Sequence, residues 1–230
     1  MYLILGGNSD LAKEIIKKLI KKDDMIVTYR SNKNLEKIKS KKKKIIYQKL
    51  DLNKLKSIKI FVKKNLNLLN NIKVINLATL SIDKLTHNID YNDLTKVFNI
   101  NNFSNILLAK ELIPLMIRQN YGKFIFFTST RATRGDIGIS LYSSSKEGLS
   151  GFSRSLAKEY AVFNITSNCI QLGYFKSKLF NNIKEDTKKK LIQQIPSKKL
   201  GKTNDIIEVI NLITKTNYIN GSDIVVNGGI

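Results

Sequence analysis

Residues 2–31, YLILGGNSDLAKEIIKKLIKKDDMIVTYRS, change their apolar period twice, and that change decides the fold. YLIL and MIVTY are short β-rich apolar runs bounded by turn residues, which read as buried strands. Between them Leu11, Ile15, Ile16, Leu19 and Ile20 recur at helical spacing against a lysine face, which reads as an amphipathic crossover helix. Strand, helix and strand in this order must wind right-handed. The sheet then grows outward and leaves a ligand crevice at the carboxyl ends of its strands.

Apolar runs and amphipathic stretches keep alternating to the end of the chain. The fold class is therefore read as α/β: a doubly wound, seven-stranded parallel sheet with helices on both faces. Strands are predicted near residues 2–5, 25–29, 45–49, 74–77, 123–128, 165–170 and 223–226. With 230 residues and 42% hydrophobic content, residues 1–230 are read as a single domain, without linker or repeat. The chain opens on YLIL without a basic leader and holds no run of about 18 apolar residues, so a soluble, cytoplasmic protein with no membrane contact is expected. One cysteine, Cys169, excludes an internal disulfide and a multi-cysteine zinc site. It lies in the apolar run ITSNCI and is read as a buried structural thiol, and no metal is expected.

The net charge of +22 normally suggests nucleic acid, a membrane surface or an acidic partner. Here the excess is lysine, 35 residues against five arginines at Arg30, Arg118, Arg131, Arg134 and Arg154. Lys, Asn and Ile are inflated together, as A+T-rich coding would produce. The run KSKKKK at 39–44 has no interleaved aromatics or glycines and is read as a solvated loop.

The turn GGNSDLA joins the first strand to its helix, where a dinucleotide fold places glycines so that backbone N–H groups can meet pyrophosphate. Read as Gly-x-x-x-Gly-x-Gly, it supplies Gly6, Asp10 and Ala12, so only the first glycine survives. Asp10 must turn away from phosphate to be tolerated, by capping the helix. On its own the motif is weak, and a plain strand-to-helix turn explains it nearly as well. The turn residues assigned to the cofactor are Gly6, Asn8, Ser9, Asp10 and Leu11. After the second strand come Arg30 and Ser31. The Arg30 guanidinium can fork onto a 2′-phosphate where an acidic residue would select a free ribose, so NADP(H) is favoured over NAD(H). After the third strand come Asp51 and Leu52; Asp51 can accept from the adenine amino group or cap the helix that begins LNKLKSI.

Three Tyr-x-x-x-Lys matches occur, at Tyr29, Tyr142 and Tyr174, where about 1.4 are due to chance in so lysine-rich a chain. Only Tyr142 has a serine, Ser129, thirteen positions upstream. Ser129, Tyr142 and Lys146 read together as a carbonyl-reducing site. Reduction of a ketone needs an acid for the developing alkoxide, and a free tyrosine with pKa about 10 holds its proton too firmly. A lysine one helical turn on, at i+4, stabilises the phenolate. Ser129 would hydrogen-bond and orient the carbonyl.

The ordered motifs GGNSDLA, NLAT, FNINN, FFTS, YSSSK, LGYFKS and GSDIVVNGG make the whole chain resemble the short-chain dehydrogenase/reductase family. The resemblance implies a Rossmann fold and maps the family's catalytic tetrad onto Asn101, Ser129, Tyr142 and Lys146, with Asn101 holding a water that relays protons to Lys146. It also implies cofactor contacts at Asn76, Ala78, Tyr142, Lys146, Phe175 and Ser177, a substrate lid over about 175–196, and a homotetramer built on the helices that carry Asn101 and Tyr142. Two elements depart from the family pattern: Asn76-Leu77-Ala78-Thr79 stands where Asn-Asn-Ala-Gly is usual, and Leu172-Gly173 where Pro-Gly is usual. These changes are expected to loosen the cofactor's grip and leave proton transfer untouched.

Within the family the chain looks most like bacterial 3-oxoacyl-(acyl carrier protein) reductases, which implies an acidic carrier as a partner of the basic surface. Against this, Asn120 and Phe163 stand where those reductases carry carrier-binding arginines, with Arg118 near the first. A sugar, nucleotide-sugar or polyol substrate is the alternative. Two readings from other classes are a dinucleotide-sensing regulator, which would tend to lose the tyrosine kept here, and a nucleic-acid binder driven by charge, whose affinity would fall steeply with salt. His87 is read as a loop residue with no catalytic part.

Overall fold

The computed structural model describes residues 1–31, 35–176, 180 and 184–230. Its strands are β1 (Tyr2–Leu5), β2 (Met25–Tyr29), β3 (Ile45–Lys49), β4 (Lys73–Asn76), β5 (Gly122–Ser129), β6 (Ile165–Leu172) and β7 (Asp223–Val226). They form one parallel sheet in the order β3-β2-β1-β4-β5-β6-β7. All seven predicted strands are present; β4 begins and ends one residue early, and β6 runs on to Leu172.

Eight α-helices stand among the described residues: α1 (Asp10–Leu19), α2 (Lys56–Asn65), α3 (Tyr91–Phe98), α4 (Ser104–Gln119), α5 (Thr130–Arg134), α6 (Ser140–Tyr160), α7 (Glu185–Gln194) and α8 (Thr203–Lys215). Alternation along the strands explains their two layers. In β1, Tyr2 and Ile4 join a core with Ile15, Ile16 and Leu19 of α1 and Ile206 and Ile210 of α8. Leu3 and Leu5 face the other way, into a core with Ile58 of α2, Leu108 and Leu112 of α4, and Leu149 and Leu156 of α6. Both faces of the sheet are thereby covered, as an all-parallel sheet requires. Each fully buried Leu or Ile contributes about 1.5–3 kcal/mol.

The strand order reverses between β1 and β4, so the loops leaving these two strands diverge and open the crevice. Of the expected lid, 177–179 and 181–183 lie outside the described residues. Phe175 bridges to Gly201, and α7 buries none of its side chains. The lysine run at 39–44 is irregular and largely exposed, and His87 sits in an exposed 3-10 turn. Among the described residues no helix is long and apolar enough to cross a membrane.

Cys169 in β6 is fully buried, and burial pushes its thiol up to about 12. The thiolate is the reactive form. An aromatic disulfide reagent at neutral pH is therefore expected to leave the native protein unlabelled and to titrate one thiol per chain in denaturant; prompt native labelling would contradict this packing.

Candidate active site

Two chain segments meet over the carboxyl end of β5. Ser129 is the last residue of that strand, Tyr142 stands in the first turn of α6, and Lys146 follows one turn later. Helix α6 lies close on the sheet because its buried positions include Ser145, Ser150 and Ser153, small enough for near approach; Ser153 Oγ meets Ser167 Oγ of β6 at 2.7 Å. Lys146 is 3% exposed, and its Nζ donates to the Phe127 carbonyl of β5 at 2.8 Å. The ammonium stands 5.8 Å from the Tyr142 ring centroid.

Burial lowers the Lys146 pKa to about 8. Burial also raises the Tyr142 pKa above its usual value, while hydrogen bonding from the Ser129 and Thr79 hydroxyls and the charge of Arg131 pull it down. The expected lowering by Lys146 is not among the main effects on Tyr142: desolvation of the phenol dominates, and the ammonium is directed to a backbone carbonyl. Thr79, read from the sequence as a lost glycine, instead carries a hydroxyl that donates to Asn101 Oδ1 at 3.5 Å and favours the Tyr142 phenolate, so the departure at this position does reach Tyr142.

Asn101 lies in a π-helical turn, Asn99–Phe103, between α3 and α4, and is 1% exposed. Its Nδ2 donates to the Leu80 carbonyl at 2.9 Å and to Ser145 Oγ at 2.8 Å, while its Oδ1 accepts from Leu80 N at 2.9 Å. Both amide hydrogens are engaged within the protein, so the side chain holds the loop after β4 against α6 and has no hydrogen left for a relay water. Its backbone carbonyl accepts from Asn105 Nδ2 at 2.8 Å, and Asn105 Oδ1 in turn accepts from Asn76. Asn76 is therefore a buried strut whose Oδ1 also holds Ala78 N at 2.9 Å.

A cavity of about 320 Å³ adjoins this centre. The structure brings Gly6, Asn8 and Ser9 of the first turn, Arg30 and Ser31 after β2, Asp51 and Leu52 after β3, and Ala78 after β4 to its walls. Gly6 has φ +78°, and a Cβ there would stand 2.7 Å from Ala78 N, so only glycine permits the close passage of the two loops. The helix cap is Ser9, whose Oγ accepts from Ala12 N at 3.1 Å; Asp10, expected to cap, is instead the first helical residue, where a carboxylate suits the helix dipole. Asp10 and Leu11 do not line the cavity. Asp51 Oδ1 accepts from Asn53 N at 3.1 Å and shapes its own turn, and α2 begins only at Lys56. Arg30 is exposed at the cavity wall, with no carboxylate partner among the described residues. Phe175 lines a separate cavity with Tyr174, beside Gly201, and Ser177 lies outside the described residues. The 320 Å³ cavity is at the lower end of ligand-site volumes and combines turn backbone, hydroxyls and a guanidinium with apolar Leu50, Leu52 and Leu77, so the residues present fit a dinucleotide. Among the described residues no group of three or more His, Cys, Asp or Glu side chains is placed to hold a metal ion.

Arg131, Arg134 and Asp136 beside Ser129 belong to no motif; their only signal in the sequence is the scarcity of arginine.

Comparison with known proteins identifies the family. The family model described as short chain dehydrogenase matches residues 1–188. A 3-oxoacyl-[acyl-carrier-protein] reductase FabG from Buchnera aphidicola subsp. Baizongia pistaciae (strain Bp) is 35% identical over 236 residues, covering 99% of this chain and 96% of that protein. Carbonyl reductase family member 4 of Xenopus laevis is 31% identical over 231 residues, covering 99% and 96%. The solved structure titled "ElxO with NADP Bound" superposes with a TM-score of 0.86 at 20% identity, covering 99% of this chain and 97% of that one.

The depressed Lys146 pKa has a signed consequence. In the pH window from about 8 to the ordinary lysine value the unfolded chain binds the proton that the folded chain has lost, so stability rises with pH. Thermal melts across this window should show the wild type gaining on Lys146→Met as pH rises. Parallel curves would mean that the ammonium is not desolvated.

Proposed function

We propose that this chain, which belongs to the short-chain dehydrogenase family and is an NAD(P)-dependent oxidoreductase, interconverts a ketone and a secondary alcohol with NADP(H). The observation that carries the reading is Tyr142 in the first turn of α6, kept protonated by burial, with the Ser129 and Thr79 hydroxyls favouring its phenolate and Lys146 one turn behind it. Bound NADPH would supply the hydride to the carbonyl carbon. Ser129 orients the carbonyl oxygen, and the Tyr142 O–H proton passes to that oxygen as the C=O π pair becomes the alcohol's. The phenolate left behind is stabilised by Lys146, whose proton is loosely held, and by the Arg131 charge. Asn101 acts as a positioning residue; a relay water would bind backbone rather than its amide. Arg30, exposed at the cavity wall and without a carboxylate partner among the described residues, supports a 2′-phosphate and hence NADP(H) over NAD(H).

The substrate reading supported by the FabG relatives is a 3-oxoacyl thioester, carried on an acidic acyl carrier protein. A second reading, a sugar, nucleotide-sugar or polyol substrate, is favoured by what became of the carrier-binding positions. Asn120 closes α4 in a left-handed conformation, φ 49°, and Phe163 packs against the core, so both serve the fold. The reading includes a cytoplasmic homotetramer, supported by the exposed Leu94, Phe103 and Ile106 along α3 and α4 and by a lone cysteine that needs no oxidising compartment.

Tyr142→Phe is expected to lower kcat on an accepted ketone by about 10²–10⁴-fold while leaving NADPH binding intact; turnover at the wild-type rate would sink the mechanism. Arg30→Ala should raise KM for NADPH by about tenfold or more relative to NADH, the loss of a charged hydrogen bond. An unchanged NADPH-to-NADH ratio would remove the role given to Arg30.

A further inference from the structure

Two of the five arginines in this lysine-saturated chain fall within five residues of Ser129. Both lie on α5, and both are turned onto one carboxylate. Arg131 Nε donates to Asp136 Oδ2 at 2.9 Å, and Arg134 donates to Asp136 Oδ1 through Nε at 2.9 Å and NH2 at 2.7 Å. Asp136 thus fixes both guanidinium planes while neutralising one of their two charges. A second carboxylate, Asp83, forms a longer ion pair with Arg131, 3.9 Å from Nη2, without a hydrogen bond, and accepts from Ser81. Each guanidinium carries five N–H donors. After these bonds, several donors remain without a partner among the described residues.

These donors border the reacting position. Ser129, Arg131, Arg134 and Tyr174 line one small cavity of about 30 Å³, room for the head of a ligand rather than a whole substrate. Arg131 is near enough to Tyr142 for its charge to favour the phenolate. The loop beyond is open, since a Cβ added at Gly135 or Gly138 would meet nothing within 4 Å. Helix α5 itself is held from behind, because Gln171 donates to Thr133 Oγ1 at 2.9 Å and Thr133 Oγ1 to Glu147 at 3.1 Å. Orienting carboxylate, rigid support and unfilled guanidinium edges are what bidentate recognition of an oxyanion needs.

We propose that Arg131 and Arg134, oriented by Asp136, form an oxyanion subsite beside Ser129, and that the ketone reduced here carries a carboxylate or phosphate close to its carbonyl. This rests on the ketone-reductase reading and narrows its substrate class. It also makes the arginines specificity residues, since a neutral ketone would leave their donors facing a polar but unpaired group.

The test pairs each charged ketone with a neutral counterpart, acetoacetate with ethyl acetoacetate and dihydroxyacetone phosphate with dihydroxyacetone, and follows NADPH oxidation. Wild type should favour the charged member of at least one pair by tenfold or more in kcat/KM. The pair that responds tells carboxylate from phosphate. Arg131→Gln with Arg134→Gln should cut that charged-to-neutral ratio at least tenfold, and Arg131→Lys with Arg134→Lys should restore part of it. A ratio unmoved by the glutamine changes, or a wild-type preference for both neutral members, overturns the subsite. A binding arm needs no turnover: in Tyr142→Phe protein saturated with NADP⁺, acetoacetate or dihydroxyacetone phosphate should raise the melting temperature, and the added glutamine pair should abolish the rise. No rise with either anion also overturns the subsite. Failure of the reductase reading looks different: Tyr142→Phe turns over like wild type, or no ketone is reduced while the arginine-dependent rise persists.

Discussion

A buried ammonium has to be hydrogen-bonded, and Lys146 meets that requirement on the carbonyl of Phe127. The bond ties α6 to β5 two residues before the strand ends, and the rest of the site follows from it. Tyr142, one turn earlier on the helix, is set opposite Ser129 at the strand's last position. Ser145, beside Lys146, receives the Asn101 amide, which at the same time clasps Leu80 by both of its backbone groups. The ends of β4 and β5, the α3–α4 junction and α6 are therefore held in one arrangement by a few buried polar bonds. Such networks fix a unique geometry because each unmade bond would be costly away from water.

The same burial sets the resting protonation states. Desolvation favours the neutral forms of both groups, so Tyr142 keeps its proton tightly and Lys146 holds its own loosely. Those are the states from which a reduction starts. The groups that favour the phenolate come from two separate segments, Thr79 after β4 and Ser129 and Arg131 at the junction of β5 and α5, so the acidity of Tyr142 is a property of the assembled fold rather than of the Tyr-x-x-x-Lys spacing.

The fold was almost wholly legible in the sequence, because strands buried on both faces have to be apolar runs and crossover helices have to be one-sided. The crevice was legible too, since it lies where the strand order reverses. What stayed hidden was polar and tertiary. Asp10 and Ser9 are both good caps on propensity, and only the backbone at Ser9 decides between them. Thr79 looked like a missing glycine because the groups its hydroxyl serves, Asn101 and Tyr142, are far away in sequence. Asn101 and Asn76 were recognisable as motif members, but that their amides are committed to Leu80, Ser145, Ala78 and Asn105 depends on atoms no spacing rule specifies. Arg131 and Arg134 were visible as letters, while their convergence on Asp136 is a feature of the short helix and the glycine loop after it.

The π-helical turn at Asn99–Phe103 carries one more consequence. A π-turn amounts to one extra residue accommodated inside a continuous helix. Each residue rotates the helical face by roughly 100°, so this single insertion resets the phase between α3 and α4. It lets Val97 and Leu108 both face the interior while Asn101 is directed at Leu80 and Ser145. Excising one residue here would keep the chain helical and the composition nearly unchanged, yet would turn either the Asn101 amide or the Leu108–Leu112 ridge to solvent. The site and the core are thus phased against each other by the length of one turn, and a change in chain length there is a different kind of lesion from any substitution.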